Sequence, residues 1–123
     1  MNPELTSQDS PLGSATRFLL ELLAWVAAPW AIWGRSAGVA IAVAILLVTV
    51  PAVFSTPGDK NQVVIPTPGP ARLAIEALLA AVAVVGAWVA WSPVAGVAVL
   101  VLAAVSIVAQ RRRLAWLSRA GLA

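Results

Sequence analysis

Two acidic residues lie in otherwise apolar stretches, and each follows an arginine by four positions. Glu21 follows Arg17, and Glu76 follows Arg72. Residues four apart share one face of a helix, so each Arg–Glu pair can form an ion pair there. Ionisable side chains within apolar helices are functional-site candidates by default, because a charge in lipid is costly. The chemistry open to these four residues is structural ion pairing, or the handling of a proton or another ion.

The surroundings of the two acids favour a position inside a helix bundle. A carboxylate near a helix N-terminus is stabilised by the helix dipole, and both acids are expected in the first turns of their helices. Small residues, which mark close helix–helix contact in membranes, continue on the same faces at Ala24, Ala28, Ala80, Ala83 and Ala87. Two arrangements fit the sequence equally well. Either each Arg–Glu pair is intrahelical, or Arg17 reaches Glu76 while Arg72 reaches Glu21.

The elements that position these residues must face lipid over most of their surface. Of 123 residues, 61% are hydrophobic and 11% are charged, and the mean hydropathy is +0.93. A soluble domain is roughly half apolar and a quarter charged, so a soluble enzyme is excluded. The absence of cysteine and histidine excludes a disulfide scaffold and metal sites built on those ligands. The sequence contains no phosphate-binding or dinucleotide-binding motif, so no cofactor is expected.

The apolar residues predict four transmembrane helices, each near the roughly 20 residues that a bilayer requires. Continuous runs rich in Ala, Leu and Val favour helices over barrel strands. The predicted fold is an all-α integral membrane four-helix bundle. Its parts are a polar leader (1–14), a transmembrane domain (15–112) with helices at 15–34, 37–54, 70–91 and 93–112, a loop (55–69), and a basic tail (113–123). A signal peptide is the alternative for the first span, but Glu4 and Asp9 stand where its basic region belongs.

The two halves of the transmembrane domain resemble each other. The matching positions are Trp30 and Trp33 with Trp88 and Trp91, and Arg17 and Glu21 with Arg72 and Glu76. Because each half contains two spans, both halves share one orientation, as in a parallel repeat. The sequence therefore predicts a bundle built from two similar helical hairpins.

The basic residues predict the orientation of the bundle. Cytoplasmic loops collect Lys and Arg. One side of the predicted bundle holds Arg35 alone, whereas the other holds Arg17, Lys60, Arg72, Arg111, Arg112, Arg113 and Arg119. Both termini are therefore expected in the cytoplasm. Four of the tryptophans then lie at the outer interface, where aromatic belts form. Abundant Arg, Ala and Val beside a single Lys are typical of a high-GC bacterium, which predicts the bacterial inner membrane.

Two segments outside the spans are candidates for contact with partners. Pro57-Gly58-Asp59-Lys60 has type II turn chemistry, and is either a plain turn or an exposed docking loop that presents Asp59 and Lys60. The tail is expected to continue the fourth helix as an amphipathic basic segment. Its arginines set the topology, or bind anionic lipid headgroups at about 1 kcal/mol each, and the two roles are compatible. The lipid-contact candidates are Arg111, Arg112, Arg113 and Arg119.

Three short motifs carry a resemblance to a known family. They are Arg17-Phe18-Leu19-Leu20-Glu21-Leu22, Phe54 with Pro57-Gly58-Asp59-Lys60, and Pro70 with Arg72-Leu73-x-x-Glu76. On these motifs, and over about residues 16–117, the chain resembles the YrdB-type family of small bacterial four-span membrane proteins. The resemblance implies an integral membrane protein with no assigned activity. It supplies no catalytic or cofactor-binding residues.

The sequence favours a non-enzymatic accessory or assembly subunit of a larger membrane complex, bound to another membrane protein or to a second copy. Such a role needs only packing surfaces, and nearly all residues at the predicted midplane are Ala, Val, Leu and Ile. The alternative is a homo-oligomeric small transporter or channel that uses Glu21 and Glu76. An enzyme is disfavoured, because Cys, His and Tyr are absent and the acids lie at the edge of the spans. Membrane lipid is a further expected partner, and nucleic acid is not.

Overall fold

The computed structural model describes residues 10–57 and 64–120. This part of the chain forms five α-helices and one pair of two-residue strands. The helices are α1 (Pro11–Trp33), α2 (Ala37–Val53), α3 (Gly69–Ala90), α4 (Pro93–Ala109) and α5 (Arg111–Arg119). The strands β1 (Phe54–Ser55) and β2 (Ile65–Pro66) pair in parallel and hold the two ends of the loop between α2 and α3 together. Apart from this short bridge the described chain is helical, which confirms the all-α prediction.

Helix α1 begins earlier than the predicted start at residue 15. Ser10 is its N-cap: the Ser10 Oγ accepts a hydrogen bond from the N–H of Gly13 at 3.0 Å. Pro11 supplies a fixed φ angle that suits the first helical position. The Ser10 hydroxyl also donates to the carbonyl of Ala109 at the end of α4, at 3.1 Å. Residues 10–14 therefore belong to the first helix and its cap and not to a separate leader, whose residues 1–9 lie outside the described residues.

Serine caps fix the two hairpin turns. The hydroxyls of Ser36 and Ser92 accept from the N–H groups of Val39 and Ala95, at 3.2 and 3.1 Å, and start α2 and α4. An N-cap of this kind satisfies a backbone donor that has no partner within the helix. Helices α2 and α3 begin and end within one residue of the predicted ranges 37–54 and 70–91.

The centre of the bundle is the contact between α1 and α3, which is built from small residues. Ala24, Ala27, Ala83 and Ala87 are fully buried. A Cβ added at Gly86 would lie 3.1 Å from backbone atoms of α1, so the two helices meet almost backbone to backbone. Close approach through small residues is the usual way in which helices pack in lipid. Many large apolar side chains face outward instead, among them Ile45, Leu46, Leu78, Val85, Val89 and Leu100.

Trp25 joins α1 to α2 through a carbonyl that a proline leaves without its usual donor. Pro51 lies inside α2, and because proline has no N–H, the carbonyl of Leu47 receives no helical hydrogen bond. The indole Nε1 of Trp25 donates to this carbonyl at 2.9 Å. Inside a bilayer a freed carbonyl needs such a partner. The indole of Trp25 therefore replaces the backbone donor that Pro51 removes, and this hydrogen bond links α1 to α2.

Replacing Trp25 with phenylalanine is expected to cost about 1 kcal/mol of unfolding free energy through this hydrogen bond. In a Pro51→Ala background the alanine N–H closes the helical bond to Leu47, so the same substitution is expected to cost less. The loss of ring size is common to both backgrounds and cancels in a double-mutant cycle. The cycle is measured on protein in detergent micelles, from the helical circular dichroism during denaturant unfolding. Equal costs in the two backgrounds would contradict the pairing.

The fourth predicted helix does not continue straight into the basic tail. The chain bends by 70° between α4 and α5, at Gln110, whose backbone leaves helical geometry with φ −100° and ψ 10°. The bend lays α5 across the start of α3, where the N–H of Gly69 donates to the carbonyl of Ala120 at 3.0 Å. A Cβ at Gly69 would lie 1.7 Å from the Leu117 carbonyl oxygen, so the crossing requires glycine. The prediction of one helix over 93–112 with a continuing tail is wrong, because contacts with α3 outweigh helix continuation.

Two of the helices, α1 and α3, are long and apolar enough to cross a membrane, and the bent pair α4–α5 is a third candidate. Helix α2 is apolar but has only 17 residues, about 26 Å at 1.5 Å per residue. This length is shorter than the roughly 30 Å hydrocarbon core of a bilayer. The described residues are thus compatible with a membrane protein.

Candidate functional site

The two Arg–Glu pairs singled out by the sequence lie at the end of the bundle where α1 and α3 begin and α2 and α4 end. With Gln110 and Arg113 they form what we call the charged cluster. Its members are Arg17 and Glu21 of α1, Arg72 and Glu76 of α3, Gln110 at the bend, and Arg113 of α5. Up-and-down hairpins bring alternate helix ends to one level, so these residues meet although they are far apart in sequence.

Glu76 is the anion around which the cluster is organised. The Nη1 and Nη2 of Arg113 donate to its Oε1 and Oε2 at 2.8 and 2.7 Å. The Nε of Arg72, one turn earlier on α3, donates to Oε2 at 2.8 Å. The side chain of Glu76 is 11% exposed, and those of both arginines are 1% exposed. Charge-assisted hydrogen bonds with bidentate geometry are stronger than hydrogen bonds between neutral groups. The contacts between Glu76, Arg72 and Arg113 therefore hold α5 against α3.

Arg72 also closes the C-terminal end of α2. Its Nη1 donates to the carbonyls of Pro51 and Phe54, at 2.7 and 2.9 Å. The last carbonyls of a helix have no partners within the helix and carry a partial negative charge, so a guanidinium is well placed there. Its Nη2 lies 3.8 Å from the Oε1 of Glu21 on α1. A single buried side chain therefore contacts three helices: its own, α2 and α1.

Gln110 is a member of the cluster that the sequence did not identify. Its Oε1 accepts from Arg17 Nη1 at 3.0 Å and from Arg113 Nη1 at 2.9 Å. Its Nε2 donates to the Oγ of Ser106 at 2.6 Å, and the Gln110 side chain is buried. The available signal was the pair of polar residues four positions apart at the end of an apolar run, the same spacing that marked the two Arg–Glu pairs.

The structure places Arg72 in both of the arrangements that the sequence left open. It pairs with Glu76 on its own helix and lies near Glu21 on α1. Arg17 reaches across to Gln110. The two members of the predicted repeat differ in burial, because Arg72 is fully buried whereas Arg17 is half-buried. The two hairpins therefore use their matching arginines differently.

The tail arginines divide into two groups. Arg113 was predicted to contact lipid headgroups, and this prediction is wrong, because its side chain is 1% exposed and binds Glu76. The bend at Gln110 lays α5 across the start of α3, with Arg113 facing Glu76. Arg111, Arg112 and Arg119 are exposed and remain predictions as lipid contacts. The docking-loop candidates Asp59 and Lys60 lie outside the described residues.

A cavity of about 380 Å³ opens beside the charged cluster, between α1, α3 and α4. Its polar lining consists of Arg17, Glu21, Glu76, Ser106 and Gln110. Its apolar lining consists of Leu20, Leu73, Ala77, Leu79, Ala80, Ala103, Ile107 and Leu114. The cavity is therefore amphipathic: its charged groups lie at the helix ends, and its apolar lining extends from Leu73 and Leu114 at the same end to Leu79 and Ala103 deeper in the bundle.

The arrangement can hold the ends of several helices together. Among the described residues no three His, Cys, Asp or Glu side chains lie close enough to hold a metal ion. Buried charges are stable only when they are paired and hydrogen-bonded, and the short contacts around Glu76 meet this requirement. The interactions that the structure provides for the cluster are thus ion pairing and helix capping.

Comparison with known proteins identifies the family of the chain. No curated protein and no solved structure matches the chain significantly. The DUF2568 family, described as proteins of unknown function, matches residues 15–104. The matched segment includes both Arg–Glu pairs of α1 and α3 and stops before the bend at Gln110. Since the match covers most of the described chain, this protein belongs to the DUF2568 family of proteins of unknown function.

Proposed function

We propose that this chain is a YrdB-type multi-pass protein of the bacterial inner membrane, a four-helix bundle of two similar hairpins with both termini in the cytoplasm. The uneven distribution of arginine supports this orientation, as do the tryptophans at the opposite end. Trp30 and Trp91 form an edge-to-face pair with ring centroids 6.0 Å apart where α1 and α3 end. Both rings are more than one-third exposed, as expected for residues of an interfacial belt.

Labelling of single cysteines tests this orientation, because the chain contains no cysteine of its own. Gly34 lies exposed in the α1–α2 turn, where an added Cβ meets no other atom within 4 Å, and Ser118 is exposed on α5. A membrane-impermeant maleimide added to sealed spheroplasts is expected to label Gly34→Cys. Ser118→Cys is expected to react only after the membrane is opened. The reverse pattern would overturn the orientation.

Within the membrane the protein serves as a non-enzymatic accessory or assembly subunit. The observation that carries this proposal is the internal use of the intramembrane charges. Glu76 and the guanidiniums of Arg72 and Arg113 bind one another and the end of α2, and so hold the bundle together. Charges committed to this role support a protein whose task is to present surfaces, not to transform a substrate.

The surface best suited to a membrane partner is the outward face of α2. Only Ala40 and Pro51 of this helix are buried, and Ile41, Ile45 and Leu46 are exposed. A span shorter than the bilayer core is accommodated in part by association with neighbouring helices. The exposed arginines of α5 supply a second contact, with anionic headgroups of the inner leaflet.

Copurification in mild detergent tests the accessory role. The tagged full-length chain, produced at native level, is expected to bring down one membrane protein in stoichiometric amount. Ala42→Trp places a large ring on the exposed face of α2 and is expected to abolish that copurification. Ala104→Trp, at an exposed position of α4, is the matched control and is expected to retain it. Recovery of the chain only as a homodimer, or equal recovery of the partner with both variants, would contradict the proposal.

A homo-oligomeric transporter or channel is the second candidate. The observation that favours it is that Glu21 and Glu76 both line one cavity. If this function holds, proteoliposomes containing the chain carry a proton or alkali-cation flux that is absent from empty vesicles. The flux is then expected to be lost with Glu21→Gln. Absence of flux from the wild-type chain removes this candidate.

A further inference from the structure

Two buried side chains that line the cavity between α1, α3 and α4 have hydrogen-bond donors without an acceptor among the described residues. They are Ser106 and Gln110, which are 1% and 6% exposed. The Gln110 Oε1 accepts from two guanidiniums, so Nε2 is the amide donor, and it donates to the Ser106 Oγ at 2.6 Å. An amide nitrogen has two N–H groups and a hydroxyl has one O–H. Within 10–57 and 64–120, the second N–H of Gln110 and the O–H of Ser106 meet no acceptor.

The Ser106 hydroxyl differs in this respect from the hydroxyls of Thr16 and Ser118. Those two donate to carbonyls of the preceding turn, at 2.8 and 2.7 Å, which is a common partner of a hydroxyl within a helix. A buried donor that lacks an acceptor costs free energy. A hydrogen-bond acceptor in the cavity, within reach of both donors, would therefore be bound favourably.

The two carboxylates that line the cavity have cationic partners within the protein. Glu76 accepts from Arg72 and Arg113. Glu21 is 17% exposed and lies 3.8 Å from the Nη2 of Arg72. A further charge among groups that are already paired is costly, so these contacts favour a neutral occupant. A neutral hydroxyl can still donate to such a carboxylate, because a carboxylate has about four acceptor positions.

Most of the remaining lining is apolar and reaches the surface of the bundle. Of the thirteen lining residues eight are apolar, and two of these, Ala77 and Ile107, are exposed. Leu79 and Ala103 are buried and lie about one to two turns deeper than the helix ends. The cavity volume of about 380 Å³ is within the usual range for small ligands. A ligand can therefore enter through an apolar opening and direct a hydrocarbon tail inward.

We propose that this cavity binds one neutral monoacylglycerol. The ester carbonyl accepts from the Ser106 O–H and the second Gln110 N–H, and a glycerol hydroxyl donates to the Glu21 carboxylate. The acyl chain lies along Leu79 and Ala103. The inference rests on the proposed membrane insertion but not on the accessory role or on ion flux, and the cysteine labelling tests insertion separately.

Ligand retention by the full-length chain in mild detergent, observed by native mass spectrometry, tests the site. The probes are a monoacylglycerol, the alkylglycerol ether of equal chain length, glycerol and phosphatidylglycerol. We expect one monoacylglycerol per chain. The ether lacks only the carbonyl and is expected to bind about tenfold more weakly, as the loss of this hydrogen bond implies. Glycerol lacks the tail and phosphatidylglycerol adds a charge, so each is expected to bind at least about tenfold more weakly than the monoacylglycerol.

Equal binding of the ester and the ether would overturn the proposal, since it is the result expected if water alone meets the two donors. Retention of phosphatidylglycerol or of glycerol as tight as that of the monoacylglycerol would overturn it as well. These comparisons use the wild-type chain, so they do not depend on the folding of any variant.

Ser106→Ala removes one of the two donors and tests the carbonyl contact directly. It is expected to weaken binding of the ester about fivefold and to leave binding of the ether within about twofold. General distortion of the cavity would weaken both ligands alike, and that result would contradict the contact. Thr49→Ala removes an exposed hydroxyl of α2, outside the cavity, and is the matched control. It is expected to bind both ligands as the wild type does.

Ala80→Phe fills the apolar part of the cavity and tests the position of the acyl chain. It is expected to weaken binding of the ester and of the ether at least about tenfold. Ala104→Phe adds the same ring at an exposed position of α4 and is expected to retain both ligands within about twofold. A folded Ala80→Phe variant that binds the monoacylglycerol as tightly as the wild type would also overturn the proposal.

Discussion

Replacing Glu76 with glutamine is expected to destabilise the protein by about 3–5 kcal/mol, the cost of breaking a buried ion pair from one side. The amide has almost the shape of the carboxylate but none of its charge. It removes the carboxylate that the guanidiniums of Arg72 and Arg113, both 1% exposed, share, and leaves Arg72 with the longer contact to Glu21 at 3.8 Å. Denaturant titration in detergent micelles, followed by helical circular dichroism, measures the loss.

Two further variants show whether the loss comes from the ion pair. The double variant Glu76→Gln/Arg113→Gln removes one charge of each sign, so it is expected to be less destabilised than the sum of its two single variants. Arg112→Gln, one residue away but exposed, is expected to change the free energy of unfolding by less than about 0.5 kcal/mol. A Glu76→Gln variant as stable as Arg112→Gln would contradict a structural role for the cluster.

Replacing Gly69 with alanine is expected to release α5 from the start of α3. The new Cβ would lie 1.7 Å from the carbonyl oxygen of Leu117 and 2.6 Å from its carbonyl carbon, and backbone atoms cannot give way as a flexible side chain can. Overpacking of this kind costs about 1–3 kcal/mol. Since Arg113 lies on α5, its contact with Glu76 is expected to weaken as well.

Limited trypsin digestion and hydrogen exchange measure the release of α5. Cleavage after Arg113, which is buried in the wild type, is expected to rise more than tenfold, the change that follows from about 1.4 kcal/mol of undocking. Gly38→Ala, in the first turn of α2, is the matched control, because its Cβ would meet only the Ser36 Oγ, at 4.0 Å. Equal cleavage of the two variants would show that α5 does not depend on the glycine.

The extent to which the sequence predicted the site differs from residue to residue. Glu21 and Glu76 were recognisable because a charge in an apolar stretch is rare and each has an arginine four residues before it. Their partners were not recognisable, because an intrahelical pair and an interhelical pair place the same atoms at the same short distances. Arg72 in fact contacts Glu76, Glu21 and the end of α2 together. Gln110 was missed because candidate residues in the apolar stretches were identified by their charge, and glutamine is uncharged.

The arginines of the tail show most directly what could not be predicted from the sequence. Arg112 and Arg113 are adjacent and identical, yet one is exposed and the other is buried against Glu76. Neighbouring residues on a helix point about 100° apart, so which of them faces inward depends on the direction of α5. That direction is set by the bend at Gln110 and the close contact at Gly69, neither of which is encoded by local hydrophobicity.

The sequence by itself determined the properties that depend on composition and local pattern. These are the helical apolar segments, the polar loop between the second and third of them, and the two acids within apolar segments with their preceding arginines. The tertiary structure alone decided which charges meet, which arginine of the tail is buried, and where an amphipathic cavity opens. The reason is physical: burial and ion pairing depend on distances between helix ends remote in sequence, and these distances are set by close packing of the whole bundle.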